Sequence, residues 1–253
     1  MITELTNQHS MLLNIYLNKL PMYSMYFTAD IQKYRPTIYG CFDNQHLCCI
    51  FTKIINTLFV YSTCDEIPIK EILDFLNNNS IDFYILKARE VHSKQFEKYI
   101  SFSTKHSTLL CKLEKNNFKP IDYKNVNIIK ASRANQDELI GFFNSVNEYK
   151  GLMNTELLND GINNGTYILY ENQKIAGVAI CNYYNRHIAN ISLLTTLPIY
   201  RGKGYGTRLL SYVCTQLLNV SESISICHEH NNANKIYTKL GFNEIGYINI
   251  CIK

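Results

Sequence analysis

Three glycines fall within five consecutive positions of a chain that is otherwise poor in glycine. The chain has 253 residues and eleven glycines, and Gly202, Gly204 and Gly206 all lie in the segment Arg201–Gly206. This segment follows a predicted strand and precedes the predicted amphipathic helix Thr207–Leu218. Glycine tolerates unusual backbone angles and lets a ligand approach the main chain closely. The loop therefore predicts unpaired amide N–H groups at a helix N-terminus, which is a site for phosphate or pyrophosphate.

Two common phosphate-binding motifs do not fit this loop. A Walker A loop requires Ser or Thr after its Gly-Lys pair, whereas Gly202-Lys203 is followed by Gly204. A dinucleotide fingerprint requires a third glycine where Thr207 stands, and it follows the first strand of its domain rather than a late one. The sequence indicates neither class.

Charge, hydropathy and cysteine content exclude several other classes. The 25 Lys and Arg residues exceed the 21 Asp and Glu residues by only four, and no basic tract occurs, so we expect no nucleic-acid binding. No apolar run reaches the roughly 18 residues of a membrane span. The N-terminus has no basic region typical of a secretory signal. Nine cysteines without C-x-x-C spacing predict buried, reduced thiols in a cytoplasmic protein, with no structural zinc.

Predicted strands and helices alternate along the chain, which indicates an α/β (α+β) fold. The polar, proline-containing segment Glu114–Asn125 predicts a linker between a smaller domain at 1–120 and a second domain at 121–253. In the first domain we predict helix Thr3–Leu20, strands Thr37–Phe42, His46–Lys53 and Thr57–Ser62, helix Ile69–Leu76, strand Asp82–Lys87, helix Ser93–Ile100 and strand Ser107–Leu113. In the second we predict strand Val126–Lys130, helix Gln136–Tyr149, strands Thr166–Glu171, Lys174–Cys181 and His187–Thr196, helix Thr207–Leu218, strand Ser223–Cys227, helix Asn232–Leu240 and strand Tyr247–Lys253.

A second motif follows the glycine loop after one predicted helix and one predicted strand. It reads Tyr237-Thr238-Lys239-Leu240-Gly241-Phe242. The loop pattern Arg201-x-x-Gly204-x-Gly206 resembles the acyl-CoA pyrophosphate loop of the GNAT superfamily of N-acetyltransferases, and the tyrosine motif resembles that family's closing helix. The resemblance covers about Val126–Lys253 and implies a mixed sheet flanked by helices. The N-terminal half shows only a compatible order of elements, as a degenerate copy of the fold would.

The resemblance implies which residues bind acetyl-CoA. Backbone amides of the loop would hold the pyrophosphate, namely those of Gly202, Lys203, Gly204, Tyr205, Gly206 and Thr207. Arg201 and Lys203 either add positive charge there or face solvent. The strand end Leu194, Thr195 and Thr196 would offer its backbone to the pantetheine arm and to the thioester oxygen, unless it is an ordinary strand end. Asn234 would contact the cofactor one turn before the tyrosine.

Tyr237 is implied as the general acid, and also as a cofactor contact. A phenol with a pKa near 10 can donate a proton to a departing thiolate without being ionised at neutral pH. The alternative is a tyrosine that only packs or binds the cofactor sulfur. No cysteine stands at a motif position, which predicts direct attack in a ternary complex rather than a covalent enzyme intermediate.

The sequence does not single out one residue as the general base. Relatives place a Glu on the third strand or on the strand after the loop helix, but Ile188–Ile191 and Ile224–Cys227 contain no acid. His228 or His230 would accept the amine proton directly or through water, or the amine would arrive neutral with solvent as acceptor. These two histidines with Glu229 do not complete a metal site, so no metal is expected.

The sequence thus predicts a cytoplasmic, acetyl-CoA-dependent N-acetyltransferase acting on a small-molecule or peptide amine, with no membrane or nucleic-acid partner. The first domain would line the acceptor site or form a homodimer contact, and the loop Asn182–His187 either binds substrate or is an exposed turn. The alternative function is a non-catalytic acyl-CoA-binding sensor or scaffold. The sequence also leaves open the alternative that the acyl donor is longer than acetyl.

Overall fold

The computed structural model describes the backbone of residues 1–123, 125–229 and 231–253, and their side chains except at 26, 29, 30, 183, 184 and 231–234. The chain divides into two compact units. Unit 1 comprises Met1–Leu110 and Ile245–Lys253, and unit 2 comprises Cys111–Glu244. Both units combine helices with a mixed sheet, which confirms the predicted α/β (α+β) class.

The first half of the chain alternates strands with helices. Two consecutive helices lie near its start, and single helices lie between its later strands. Its elements are β1 (Ile2–Glu4), α1 (Ser10–Leu17), α2 (Pro21–Tyr34), β2 (Ile38–Asp43), β3 (His46–Ile54), β4 (Thr57–Tyr61), α3 (Ile69–Asn78), β5 (Ile85–Arg89), α4 (Glu90–Phe96) and β6 (Thr104–Glu114). Strands β1 to β4 pair as antiparallel neighbours in chain order. Strand β5 then pairs with β4 in parallel.

The second half of the chain repeats this order. Its elements are β7 (Asn127–Lys130), α5 (Gln136–Ser145), α6 (Thr155–Gly165), β8 (Thr166–Glu171), β9 (Lys174–Tyr184), β10 (Ile188–Thr196), α7 (Tyr205–Leu217), β11 (Ser223–His228), α8 (Asn231–Leu240) and β12 (Asn243–Ile252). Strands β7 to β10 are again antiparallel neighbours, and β11 pairs with β10 in parallel. The N-terminal half is therefore a second copy of the same fold.

The boundaries of the two units differ from the predicted domain boundaries. Strand β12 pairs with β5 in antiparallel register, so the chain end belongs to unit 1. Strand β6 passes into unit 2 at Cys111 and neighbours β11 there. The segment Glu114–Asn125, predicted as a linker, is bonded to unit 2, because the Lys119 amide donates to the Leu240 carbonyl at 3.0 Å. A polar, proline-containing segment resembles a linker even when its backbone is tied to a domain.

Two helices and one short strand were absent from the prediction. The predicted helix Thr3–Leu20 is the strand β1 followed by the shorter helix α1, and helix α2 begins at Pro21. Helix α6 contains Asn and Gly residues of low helix propensity, so its sequence resembles a loop. It is stabilised by burial of Leu158 and by Asn154, whose side chain accepts from the Leu157 amide at 2.9 Å.

The helix after the glycine loop is anchored in the core of unit 2. The apolar face predicted for it is buried, with Leu209, Leu210 and Val213 at 0% and Leu217 at 4% exposed. This face packs against β8, β9 and β10. Burial of such side chains contributes about 1.5–3 kcal/mol each, so the N-terminus of α7 is held firmly where the loop ends.

Buried His92 in α4 makes the stability of unit 1 depend on pH. Its Nε2 lies 2.8 Å from the Cys64 carbonyl oxygen, and its Nδ1 has no hydrogen-bond partner among the described residues. Burial lowers the pKa of His92 to about 4, from an ordinary 6.5. The folded chain then binds fewer protons than the unfolded chain, so stability is full above pH 6.5 and falls as the pH drops from 6.5 toward 4.

We expect the unfolding free energy to fall by about 2–3 kcal/mol across this window because of His92. The variant His92→Gln keeps a donor for the Cys64 carbonyl but removes the titration. Urea unfolding at several pH values should therefore give a shallower pH slope for His92→Gln than for the wild type. Equal slopes would contradict the assignment.

All nine cysteines lie in the described part of the chain, none of them forms a disulfide there, and six are buried. In the part of the chain that the structure describes, every helix is too short or too polar to cross a lipid bilayer.

Candidate active site

The two central parallel strands of unit 2 separate partway along their length. The ladder between β10 and β11 ends at Ile191 opposite Ile226, although β10 continues to Thr196. At this point the register of β10 against β9 shifts, with Ser192 as an extra residue. Such a bulge bends a strand and increases its twist. A gap therefore opens between β10 and β11, bordered by main-chain groups of β10 that are outside the ladder.

Two residues of the predicted strand end, Leu194 and Thr196, have main-chain groups that face this gap. The Leu197 amide donates to the Ala176 carbonyl of β9 at 2.9 Å. Because main-chain groups alternate in direction along a strand, the Thr195 amide also faces β9, whereas those of Leu194 and Thr196 face the gap. Of the three predicted residues, Thr195 is thus turned away, and Leu194 presents both its N–H and its carbonyl.

The glycine loop has the backbone of an anion site. Gly202 and Gly204 adopt left-handed angles, with φ of 76° and 83°, and Gly204 is the N-cap of α7. The first helical hydrogen bond runs from the Arg208 amide to the Gly204 carbonyl at 3.1 Å. The amides before it lack an intrahelical acceptor, namely those of Tyr205, Gly206 and Thr207. A Cβ on Gly202 or Gly204 would meet no heavy atom within 4 Å, so both glycines border open space. Free amides beside open space at a helix N-terminus are suited to an anion.

Arg201 anchors the loop to its surroundings. Its Nε donates to the Thr196 carbonyl at 3.1 Å, and its Nη2 lies 2.9 Å from a carboxylate oxygen of Glu148. Lys203 lies over the ring of Tyr200, with Nζ 5.8 Å from the ring centroid. Because the charge of Arg201 is already paired, Lys203 is the loop cation better suited to meet an anion.

Tyr237 forms a cluster with His228 and Cys111. The rings of Tyr237 and His228 have centroids 4.9 Å apart and an interplanar angle of 37°. The Cys111 Sγ lies 3.6 Å from His228 Nε2. Tyr237 is 5% and Cys111 1% exposed, whereas His228 is partly exposed. A phenol, an imidazole and a thiol therefore meet near the end of β11.

The phenol of Tyr237 stays protonated at neutral pH. Burial raises the pKa of Tyr237 well above its usual value, and nearby Cys111 and Tyr149 act in the same direction. An ordinary thiol has a pKa of about 8.5, so complete proton transfer from this phenol to a thiolate is unfavourable. The hydroxyl is better suited to donate a hydrogen bond to a departing sulfur as negative charge develops.

The strands β10 and β11 carry a neutral pair where the sequence resemblance led us to look for an acid. Asn190 stands opposite Ser225, and its Nδ2 donates to Ser225 Oγ at 2.9 Å. His230 and the side chain of Asn234 lie outside the described residues. Of the two histidines predicted as base, His228 is the one that the structure places against Tyr237.

Cys111 and Tyr149 were missed from the sequence. Cys111 precedes His228 by 117 positions and lies before the expected linker, so it was grouped with the first domain. Tyr149 follows Glu148 in a short turn after α5, where a helix was predicted to end. The two halves of the chain repeat the same order of elements, and each half ends in a strand. Because the last strand of each half can pair within either unit, this repeat could have indicated that Cys111 on β6 reaches unit 2.

Unit 1 lacks the corresponding features at the matching positions of its repeat. The loop between β4 and α3 contains no glycine and carries Asp65. Arg89, at the end of β5, donates from Nη1 to the Ser62 carbonyl at 3.2 Å. Its Nη2 lies 3.5 Å from Asp65 Oδ1, so Arg89 bridges the ends of β4 and β5. Helix α4 ends at Phe96 and contains no tyrosine. Among the described residues, only unit 2 combines the loop with the tyrosine.

Fold and sequence together define unit 2 as an acyltransferase domain. Residues 163–244 match the family model of the acetyltransferase (GNAT) domain. This match contains the glycine loop, Tyr237 and its Leu-Gly-Phe sequence, and it confirms the predicted resemblance. Residues 163–244 are thus a GNAT domain, and proteins of this family use acyl-CoA as the donor. No curated protein matches the chain in sequence.

Solved structures of the same fold extend the likeness to both units. A GNAT-family acetyltransferase from Colwellia psychrerythraea aligns over 100% of each chain, with a TM-score of 0.68 and 14% identity. A GCN5-related N-acetyltransferase from Kribbella flavida covers 92% of this chain and 94% of its own, with a TM-score of 0.64 and 11% identity. A tandem GNAT protein from the clavulanic acid biosynthesis pathway covers 100% and 98%, with a TM-score of 0.62 and 9% identity. At these identities the likeness establishes the fold, which is GNAT-like along the whole chain.

Proposed function

We propose that unit 2 transfers an acetyl group from acetyl-CoA to an amine by direct attack in a ternary complex. One juxtaposition carries the proposal. The glycine loop follows the carboxyl end of β10, and the helix of Tyr237 follows the carboxyl end of β11. Because these strands are parallel, both features emerge at the same edge of the sheet, where the gap opens.

The chain's own groups account for donor binding. The amides from Gly202 to Thr207 would hold the pyrophosphate, with Lys203 adding charge. Leu194, whose N–H and carbonyl face the gap, would hydrogen-bond the pantetheine arm as a neighbouring strand does. When bound, acetyl-CoA supplies an activated thioester acyl group.

The same residues account for the acid–base steps. His228 would accept the proton that the attacking amine must lose, and Tyr237 would hydrogen-bond the sulfur as the carbon–sulfur bond breaks. A carbon–nitrogen bond forms as the carbon–sulfur bond breaks, and no bond to the enzyme is made. The departing thiolate takes a proton from solvent, and His228 returns the amine proton to solvent. The amine and thioester need only be held side by side, which by itself contributes several kcal/mol, about 7–11 in ideal cases.

A thiol-release assay tests this function. The purified protein would be mixed with acetyl-CoA and, in turn, with free amino acids, a polyamine, an aminoglycoside and peptides with free N-termini. Enzyme-dependent release of thiol with at least one class is expected. Tight acetyl-CoA binding without thiol release from any class would contradict catalysis.

A second candidate function is a non-catalytic acyl-CoA-binding sensor or scaffold. The neutral pair Asn190 and Ser225 favours it, because an acid is missing from both strands. The cluster of Tyr237 with His228 favours the enzyme. Competition between acetyl-CoA and longer acyl-CoA donors would show which donor the site prefers. We also propose a cytoplasmic location, which the free thiols support.

One acetyl-CoA is expected to bind per chain, because the loop of unit 1 between β4 and α3 contains no glycine and carries Asp65, which pairs with Arg89. Isothermal titration should give a ratio of one to one. The variant Asp65→Asn should leave both the ratio and the affinity unchanged. A ratio of two would contradict the assignment of a single site.

A further inference from the structure

The contact between Cys111 and His228 is a feature that the acetyltransferase assignment does not use. Cys111 lies on β6, the strand that enters unit 2 at this residue. Its sulfur is 3.6 Å from His228 Nε2, within reach of a hydrogen bond to sulfur. The thiol is 1% exposed, so the sulfur side of this contact is shielded from water, whereas His228 is partly exposed.

The protonation state of the thiol limits what it can do. Burial raises the pKa of Cys111 to about 12, and Glu244 and Cys227 act in the same direction. The thiol is therefore neutral at neutral pH, and a neutral buried thiol is a poor nucleophile. Cys111 is thus unsuited to carry an acyl group, but it can hydrogen-bond an imidazole nitrogen.

The ring of His228 is held from two directions. Cys111 contacts its edge at Nε2, and Tyr237 lies against its face at 4.9 Å. In a histidine, the partner of one ring nitrogen decides which nitrogen carries the proton and how the ring is oriented. Other described ionisable groups near this cluster are Cys227 and Glu229, on either side of His228, Glu244 near Cys111, and Tyr149 and Cys214 near Tyr237.

We infer that Cys111 is a positioning residue: its neutral thiol sulfur accepts a hydrogen bond from the Nε2–H of His228, which fixes the ring orientation and leaves the lone pair of Nδ1 to accept the amine proton. The inference rests on the proposed acetyltransferase function. It adds a residue from the first half of the chain to the machinery of the second.

Three variants separate positioning from packing. Cys111→Ala removes the hydrogen bond, Cys111→Ser restores a hydroxyl at the same place, and Cys181→Ala empties a comparable buried site on β9. With the amine that gives the fastest thiol release, Cys111→Ala should lower kcat by about tenfold, because a misoriented base costs rate. KM for acetyl-CoA should stay unchanged, Cys111→Ser should recover most of kcat, and Cys181→Ala should match the wild type. Melting temperatures check folding, and Cys111→Val replaces the alanine variant if that variant unfolds.

A spectroscopic measurement decides the inference independently of turnover. Ring nitrogen signals of 15N-histidine-labelled protein can be assigned to His228 by their loss in His228→Gln. They should shift in Cys111→Ala and stay near the wild-type values in Cys111→Ser and Cys181→Ala. Unchanged His228 signals in Cys111→Ala, or a kcat equal to that of Cys181→Ala, would overturn the inference. Absence of thiol release by the wild type would instead contradict the proposed function, and the ring signals would still test the contact.

Discussion

Replacing Gly204 with glutamate is expected to weaken acetyl-CoA binding by about a hundredfold or more, equivalent to about 2.7 kcal/mol. Gly204 is the N-cap of α7 at φ 83°, and its α-carbon borders open space. A carboxylate at this position would occupy the space for the pyrophosphate and repel its charge. Since a Cβ there would meet no heavy atom within 4 Å, the fold should survive at the cost of backbone strain alone. Isothermal titration with acetyl-CoA measures the effect.

Gly151→Glu is the matched control for this variant. Gly151 also has a positive φ, 74°, and a Cβ there would likewise meet nothing within 4 Å. The two variants carry the same strain and charge in the same unit, and only Gly204 belongs to the anion loop. Wild-type affinity in Gly204→Glu, or equal losses in both variants, would refute the role of the loop.

Replacing Tyr237 with phenylalanine is expected to lower kcat by about a hundredfold, the low end of the effect of a general acid. The ring packs between His228 and Phe242, and phenylalanine keeps these contacts while removing the hydroxyl. KM for acetyl-CoA should change little, because the lost hydrogen bond forms mainly as the sulfur departs.

The control for this prediction is Tyr212→Phe. Tyr212 packs edge-on against Tyr123 and Tyr167, on a helix of the same unit. Its kcat should equal that of the wild type. If Tyr237→Phe retained full kcat while its affinity for acetyl-CoA fell, Tyr237 would be a cofactor contact rather than an acid.

Local sequence patterns predicted the elements whose apolar residues form a clear pattern. Helix α7 has one apolar face, and the β8–β9 hairpin consists of two apolar runs joined by the polar Asn172-Gln173 turn, so both were predicted near their observed bounds. Helix α6 is polar and contains glycine, and its stability comes from tertiary burial of Leu158, which local propensity does not encode. The return of β12 to unit 1 depends on pairing between distant strands, and no local pattern specifies such a partner.

The same distinction between local patterns and distant pairing applies to the candidate site. The glycine loop and the Tyr237 motif are contiguous in sequence, and their chemistry follows from backbone freedom and residue type. The neighbours of these motifs come from elsewhere in the chain. Cys111 reaches His228 through the pairing of β6, and Glu148 binds Arg201 across a turn, so only the folded chain brings them together.

Amide hydrogen exchange with and without coenzyme A tests the central claim most directly, because it reports on the backbone groups assigned to the ligand. Saturating coenzyme A should slow exchange in peptides covering Gly202–Thr207 and Leu194, while peptides covering the corresponding loop of unit 1, residues 62–68, should be unaffected. Protection confined to unit 1, or exchange from Gly202 to Thr207 that is the same with and without coenzyme A, would contradict the account.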